Sequence, residues 1–285
     1  MNDKRLISIK NGRAKVELIT GPCLAIQNSR SLSDQAPHCL PKTMSAFRFS
    51  ILLLLFSVCC LFSFTLPSGV FDDCRQLVIV TSPKAGSVRA TLSRYEKQGK
   101  SWKKVGASIP VNLGRKGLAW GRGLHSAKPG VQKKEGDQKS PAGLFRFGTA
   151  FGYAQASEVS FKLPYVPITE SQICVEDSES AYYNQIVDAA LTDKDWDARE
   201  SMMRQDEQYK WGIFVKHNLP AEPEGGSCIF FHIWRKEGSG TLGCTAMTEE
   251  NLLELMHWLD PDKKPMLVQM TRQDYEGYRK KFRLP

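Results

Sequence analysis

The sequence lacks the features that mark several common classes of protein. It has no internal repeat and no Pro/Gly/Ser-rich linker that would divide residues 70–285, so this segment is predicted to form one domain. It has no C-x-x-C or H-x-x-x-H spacing, so we expect neither a metal nor another cofactor. The formal net charge is +9, but residues 70–285 carry only +4, from 31 basic and 27 acidic groups. Because no basic face is concentrated there, nucleic acid is not an expected partner.

The N-terminal part of the chain has a different composition from the rest. An uninterrupted apolar run, residues 51–66, follows Arg48 and ends at Pro67. A basic flank, an apolar run and then small residues are typical of a secretory signal peptide. An uncleaved signal anchor is the alternative, because residues 49–71 contain no charge. Residues 44–69 are therefore predicted to be a signal peptide or a signal anchor, with membrane anchoring through the apolar run in the second case.

Residues 1–43 are polar and patternless, and Met44 stands immediately before the signal pattern. We interpret these 43 residues as an over-extended gene prediction, with a disordered tail as the alternative. The remainder is predicted to be exported to the periplasm or cell envelope. An oxidising compartment permits disulfides. Cys174 and Cys228 are the plausible pair if Cys244 stays a free thiol, which leaves Cys74 single, although spacing alone does not decide the pairing.

Hydrophobic patterning predicts a mainly β protein beyond the signal. RQLVIVTS, KWGIFVKHN, CIFFHIW and KPMLVQMT read as strands, and residues 87–114 alternate well enough for two or three more. Residues 178–210 have helical propensity and few β-branched residues, so a helical excursion is predicted there, with Asp195 as a candidate N-cap. Another helix is predicted between the N-cap Thr248 and Pro261, because acidic residues follow the cap and an apolar stripe continues from it.

The segment FFHIWRKEGSGTLGCTAM, residues 230–247, combines a histidine and a cysteine. His232 lies on a strand that is apolar on both faces, so the strand is predicted to be central in a sheet. Cys244 is predicted to lie just before a helix N-terminus, where a nearby imidazole and the helix dipole would both favour its thiolate. Backbone N–H groups from Leu242 to Cys244 could form an oxyanion hole, with His232 as general base and then acid. Taken singly, such a cysteine or histidine is more often a packed core residue.

The pattern as a whole resembles the H…[S/T]-x-G-C signature of the L,D-transpeptidases of the YkuD type, which cross-link bacterial peptidoglycan. The signature falls on His232, Thr241, Gly243 and Cys244. KSPAGLFRFGTAFGY is similar to the T/S-P-x-G-x-F segment of that family, and KWGIFVKHN to its Y-G-I-x-x-H-N strand. The resemblance covers roughly residues 76–272. It implies an antiparallel β sandwich that carries the cysteine on a loop over one sheet.

The resemblance also implies a reaction on peptidoglycan stem peptides. Cys244 would attack the amide after the third stem residue and form a thioester, which an amine of a neighbouring stem would resolve. An L,D-carboxypeptidase or wall-amide hydrolase would use the same Cys/His pair with water as the acceptor. A non-catalytic wall-binding module would keep the fold alone, but the presence of both Cys244 and His232 argues against it.

The sequence departs from the family pattern at one position. Many members have an arginine two residues after the cysteine, where this chain has Ala246. If that arginine binds a substrate carboxylate, another cation must replace it, and Arg122 and Arg235 are the candidates. His217 is a candidate to line the cleft. Trp120 and Tyr183 are expected in the core or the wall, and the group that orients the catalytic histidine is not identified by the sequence.

Overall fold

The computed structural model describes residues 69–285, so the predictions for residues 1–43 and, apart from Gly69, for residues 44–69 lie outside the described part of the chain. The strands are β1 (Gln76–Ser82), β2 (Arg89–Gln98), β3 (Ser101–Asn112), β4 (Leu118–Trp120), β5 (Ser140–Gly152), β6 (Tyr165–Pro167), β7 (Gln172–Val175), β8 (Ile186–Asp188), β9 (Arg199–Ser201), β10 (Trp211–Val215), β11 (Phe230–Ile233), β12 (Thr245–Met247) and β13 (Met266–Thr271). The helices are α1 (Glu249–Trp258) and α2 (Arg272–Phe282). Neither is long and apolar enough to cross a bilayer, within residues 69–285.

Ten strands form one sheet that closes on itself. The order is β10-β11-β12-β3-β2-β1-β13-β5, and β5 also pairs with β10 to complete the ring. The short strands β4 and β6 add to β5 outside this ring. Closure depends on the length of β5, whose first half pairs with β13 and whose second half pairs with β10.

The mainly β prediction is confirmed, but the architecture differs from the expected antiparallel sandwich. The sheet is barrel-like and closed, and it is mixed: β1 runs parallel to β13, and β11 runs parallel to β12. Because β5 joins what would otherwise be two sheet edges, the strands do not separate into two packed layers.

The core explains why the predicted strands form. In β1, Leu77 and Val80 are fully buried, as is the rest of its apolar run, because β2 and β13 flank it and both of its faces are covered. Helix α1 forms as predicted, with the Thr248 hydroxyl accepting a hydrogen bond from the Asn251 N–H. Helix α2, which was not predicted, starts at a similar cap on Thr271 and buries Tyr275 and Tyr278.

The predicted helical excursion at residues 178–210 is wrong. This segment contains turns and the strands β8 and β9, which flank β7 in a separate three-stranded sheet, here called the small sheet. Asp195 does not cap a helix, because its carboxylate accepts hydrogen bonds from the Ser180 hydroxyl and the Ala181 N–H. Pairing with β7 and side-chain bonds to turns therefore override local helical propensity.

A disulfide ties the small sheet to the strand that carries the histidine. Cys174 of β7 is bonded to Cys228, two residues before β11, as the sequence interpretation favoured. Cys74 and Cys244 are free thiols, and both are buried. The position of β7 is therefore fixed covalently relative to β11.

Candidate active site

Neighbouring parallel strands place Cys244 and His232 on the same face of the closed sheet. His232 of β11 is in register with Ala246 of β12. Cys244 precedes Ala246 by two residues, and residues two apart on an extended chain point to the same side. The thiol and the imidazole are thus diagonal neighbours on one face of the sheet, and within residues 69–285 no hydrogen bond joins them directly.

The Cys244 thiol lies in the wall of a cavity of about 500 Å³ that His232 also lines. Its sulfur accepts a hydrogen bond from the Phe230 N–H, at 3.3 Å, and lies 3.6 Å from the Cys228 carbonyl oxygen, to which the S–H can donate. Only 7% of the residue is exposed. The Cys244 sulfur is therefore held by the backbone of Cys228 and of Phe230, the first residue of β11, and Cys244 lines this cavity.

The imidazole of His232 has a defined tautomer. Its Nδ1 lies 2.8 Å from the carbonyl oxygen of Ile233. A carbonyl can only accept, so Nδ1 carries the proton and Nε2 is left as the basic nitrogen. The ring of Tyr209 stands edge to face against the imidazole, with centroids 5.3 Å apart. The backbone carbonyl of Ile233 is thus the orienting group that the sequence did not identify.

Burial opposes charge on both members of the pair. Desolvation, together with the carboxylate of Glu200, raises the pKa of the Cys244 thiol to about 12. Desolvation lowers the pKa of His232 to about 4, although its hydrogen bond to Ile233 acts in the other direction. At neutral pH the resting pair is therefore a thiol and a neutral imidazole.

The expectation that the imidazole and a helix N-terminus stabilise a resting thiolate is therefore wrong. The strand β12 separates Cys244 from α1, so the cysteine is not next to the helix terminus. The dipole effect is confined to the first turn of a helix, and it does not extend across a three-residue strand.

The loop before Cys244 is fixed by two hydroxyl groups. Thr241 donates to the Cys244 carbonyl, at 2.7 Å, and its oxygen accepts the N–H of Gly243, at 3.1 Å. Ser140, from the KSPAG segment, donates to the same carbonyl, at 3.0 Å. Because Gly243 uses its N–H within the loop, the N–H groups of Leu242 and Cys244 are what remain of the predicted oxyanion hole.

Glycine is required where this loop crosses the segment after β3. The backbone N–H of Arg115 donates to the Thr241 carbonyl, at 2.8 Å. A Cβ atom at Gly240 would come within 2.5 Å of the Arg115 Cα, a distance that no side chain tolerates. Leu242, at the tip, is 62% exposed and also lines the cavity, so it supplies an apolar lip at the entrance.

Comparison with known protein families identifies the domain. The family model of the L,D-transpeptidase catalytic domain, YkuD, matches residues 79–268. The chain belongs to this L,D-transpeptidase family. Neither the curated proteins nor the solved structures compared with the chain give a match. The matched range contains the closed sheet from β2 to β12 and both residues of the Cys/His pair.

Of the cations suggested for the missing arginine of the L,D-transpeptidase motif, one lines the cavity and one does not. Arg235 lies in the cavity wall, is 64% exposed and forms an ion pair with Asp206 at 3.1 Å. Arg122 is not among the lining residues. Its guanidinium binds Glu222 at 2.6 Å and also donates to the carbonyl groups of Lys133 and Gly225. Arg122 thus joins two loops behind the cavity.

His217, the other candidate for the cleft of this L,D-transpeptidase domain, is fully buried away from the cavity lining. Its Nδ1 accepts the backbone N–H of Arg122, at 3.2 Å, so its Nε2 donates to the Gly225 carbonyl, at 3.1 Å. Desolvation lowers the pKa of His217 to about 3. Of the two expected wall residues, Tyr183 is buried and donates to Glu135, and Trp120 packs against the main core.

The structure adds charged residues to the L,D-transpeptidase site that the sequence interpretation did not select. Lys133, Glu135, Glu176, Glu200 and Arg204 all line the cavity. Glu200 belongs to β9 and Glu176 follows β7, so the small sheet forms one wall and the closed sheet carries Cys244 and His232 on another. No local sequence pattern predicts that these residues share a cavity, because only tertiary contacts bring them together. The sequence EGD at residues 135–137 predicts a turn near Lys133, but it does not predict the cavity.

Proposed function

We propose that this chain is an exported L,D-transpeptidase that acts on peptidoglycan stem peptides through a thioester on Cys244. One observation carries the proposal: Cys244 and His232 lie on one face of adjacent strands and line the same cavity. A cavity of about 500 Å³ is within the range of sites that hold small ligands and peptides. Membership of the family supports the reaction class.

The first half-reaction forms the thioester. The Cys244 sulfur attacks the carbonyl carbon of the third stem residue, in the amide that joins it to the terminal D-amino acid, while Nε2 of His232 takes the thiol proton. Because the resting pair is neutral, this transfer accompanies the attack. The N–H groups of Leu242 and Cys244 donate to the oxyanion. When the C–N bond breaks, His232 returns the proton to the departing amine of the terminal D-amino acid.

The second half-reaction reverses these roles. An amine of a neighbouring stem attacks the thioester carbonyl, and His232 takes the proton that the amine loses. Collapse of the intermediate breaks the C–S bond, forms the new amide and returns the proton to the Cys244 sulfur. Arg235 at the cavity wall is the residue that we propose for binding a substrate carboxylate, since it is accessible there and Arg122 is not. Export rests on the basic flank and apolar run of residues 48–67.

The Cys244→Ala variant tests the chemistry. Wild-type protein incubated with a tetrapeptide stem and an acceptor stem should give a cross-linked dimer, and a rapid quench should trap the tripeptide as an adduct on Cys244. The variant should give neither product and should keep the thermal transition of the wild type, because alanine fills most of the buried site. The measurement is mass spectrometry of products and of the intact protein.

The matched control is Cys74→Ala, which removes the second buried free thiol of residues 69–285 and should retain full turnover. Dimer formation by Cys244→Ala would remove this cysteine from the mechanism. Tripeptide release without any dimer, in the wild type, would instead identify a carboxypeptidase that uses water as its acceptor.

A further inference from the structure

Lys133 is a buried cation in the cavity wall, although its KK sequence suggests a solvated loop. Its side chain is 3% exposed. The ammonium donates to Asp137 Oδ1, at 2.6 Å, and to the carbonyl oxygen of Lys134, at 2.8 Å. The neighbouring Lys134 is exposed. A lysine is almost never this deeply buried unless it is paired, because removing its charge from water costs desolvation free energy.

The ammonium of Lys133 has one donor left over. It carries three N–H bonds, and within residues 69–285 only the two acceptors named above bind it. The side chain runs beside the nucleophile loop. A Cβ atom built on Gly226 would lie 3.1 Å from the Lys133 Cε, and one built on Gly243 would lie 3.9 Å from it. The Lys133 side chain therefore lines the cavity and passes close to Gly243, the residue that precedes Cys244.

Lys133 differs from the other cations of this cavity. Arg204 is bound to Glu200 and Asp206, and Arg235 is bound to Asp206 and is largely exposed. Arg115 is exposed as well. Of the cavity-lining cations in the described part of the chain, Lys133 is the one shielded from solvent, so its field on the thiol is screened least.

Most other charges that face Cys244 disfavour its thiolate. Glu200 of β9 and Glu176 after β7 both raise the pKa of the thiol, and burial raises it further. His232 of β11 and Tyr209 are neutral neighbours at pH 7, since burial lowers the pKa of the first and raises that of the second. Lys133 lowers the pKa of Cys244.

We propose that Lys133 is a positioning residue of the active site, whose buried ammonium stabilises the negative charge that forms at Cys244 and holds the loop at Gly243 beside it. The proposal rests on the proposed function and deepens it, because it names a cation that acts on the Cys244 sulfur, whereas Arg235 is proposed to bind the substrate carboxylate. No bond changes at Lys133 itself. Its charge acts on the free energy of the sulfur anion.

The test is the rate of alkylation of Cys244 by iodoacetamide as a function of pH, which needs no stem peptide. Peptide mass spectrometry separates the label on Cys244 from any label on Cys74. In the full-length Lys133→Met protein, the rate at pH 8 should fall about tenfold, the change in thiolate fraction that one unit of pKa produces. The whole pH profile should move to higher pH.

Three variants make the result specific. Lys134→Met, which removes the exposed neighbouring charge, should leave the profile unchanged. Lys133→Arg, which keeps the cation, should recover most of the rate. Glu200→Gln, which removes a nearby anion but keeps an acceptor for Tyr209, should move the profile the opposite way.

Lys133→Met leaves the carboxylate of Asp137 largely buried without its cation, and this can destabilise the fold. If that variant shows no cooperative thermal transition, Lys133→Met/Asp137→Asn removes both charges and should show a fall in the same direction, smaller than tenfold because the opposing charge of Asp137 is lost as well. A wild-type profile in either folded variant would overturn the role of Lys133 while leaving Cys244 as the nucleophile. The proposed function fails on a different result, namely that wild-type protein forms neither dimer nor tripeptide from the stem peptides.

Discussion

Burial moves the proton affinities of Cys244 and His232 in opposite directions. The pKa of the thiol rises to about 12 and that of the imidazole falls to about 4. The pair therefore rests uncharged, unlike a thiolate–imidazolium pair, and the histidine is in its basic form throughout the neutral range. In the mechanism that we propose, the proton therefore moves during attack on the substrate, and the geometry at Nε2 is a condition for reactivity.

A pH–rate profile of the wild-type enzyme checks this account of His232. The group is needed as a base, and a lowered pKa keeps it in the basic form at lower pH. We expect kcat/KM for the tetrapeptide to be level from pH 8 down to about pH 5.5 and to fall tenfold per pH unit below pH 4. Enzyme held at low pH and returned to pH 7 should recover full activity, which separates titration from unfolding. A midpoint near 6.5 would contradict a buried, neutral imidazole.

For single residues of the candidate site, the sequence could predict those that form the motif and little else. His232, Thr241, Gly243 and Cys244 stand at a recognisable spacing. The cavity-lining Lys133 could not be predicted, because its burial depends on Asp137 and on chain segments that are distant in the sequence. The orienting group of the histidine is a backbone carbonyl, which no side-chain pattern can mark.

The small sheet is the element whose stability depends on a covalent link. Its three strands are only three or four residues long, so few backbone hydrogen bonds hold the sheet together. The Cys174–Cys228 bond closes a loop with a sequence separation of 54 residues. Such a bond removes conformational freedom mainly from the unfolded chain.

The Cys174→Ala/Cys228→Ala variant should therefore lose about 2–4 kcal/mol of unfolding free energy, measured by urea denaturation. Wild-type protein in dithiothreitol should lose a similar amount, and the variant should not respond to the reductant. Stability equal to that of the oxidised wild type would show that the packing of the small sheet, and not the disulfide, determines its position.

A comparison of the predicted with the observed strands and helices shows where the local sequence pattern is enough to predict secondary structure. Strand β1 and helix α1 were predictable, because one is a continuous apolar run and the other has a cap and an apolar stripe. Residues 178–210 were not, since Asn184 adopts a positive φ and the carboxylate of Asp195 binds a turn instead of a helix N-terminus. Helix α2 depends on two tyrosines that pack on the sheet, which a mainly polar segment does not reveal.

For the whole molecule, buried titratable groups make stability depend on pH in two opposing ways. Burial depresses the pKa of His217 to about 3, below the ordinary 6.5 of an unfolded chain. The stability that its neutral form provides is present above pH 6.5 and is lost as the pH falls towards 3. Burial and two nearby carboxylates raise the pKa of Glu176 to about 7, so its contribution is present below pH 4.5 and is lost as the pH rises through 7.

His217→Asn should accordingly flatten the dependence of unfolding free energy on pH between 6.5 and 4.5, by up to about 1.4 kcal/mol per pH unit. Urea titrations followed by tryptophan fluorescence at four pH values measure the slope. Glu176→Gln is the comparison variant and should steepen it. Parallel curves for His217→Asn and the wild type would mean that this imidazole is protonated in the folded protein.

Two sheets of different size form opposite parts of the cavity wall. Cys244 and His232 lie on the closed sheet, whereas Glu200 belongs to the small sheet and Glu176 follows its strand β7. Substitutions in the small sheet can therefore change which molecules enter the cavity, while the strands that carry Cys244 and His232 stay as they are.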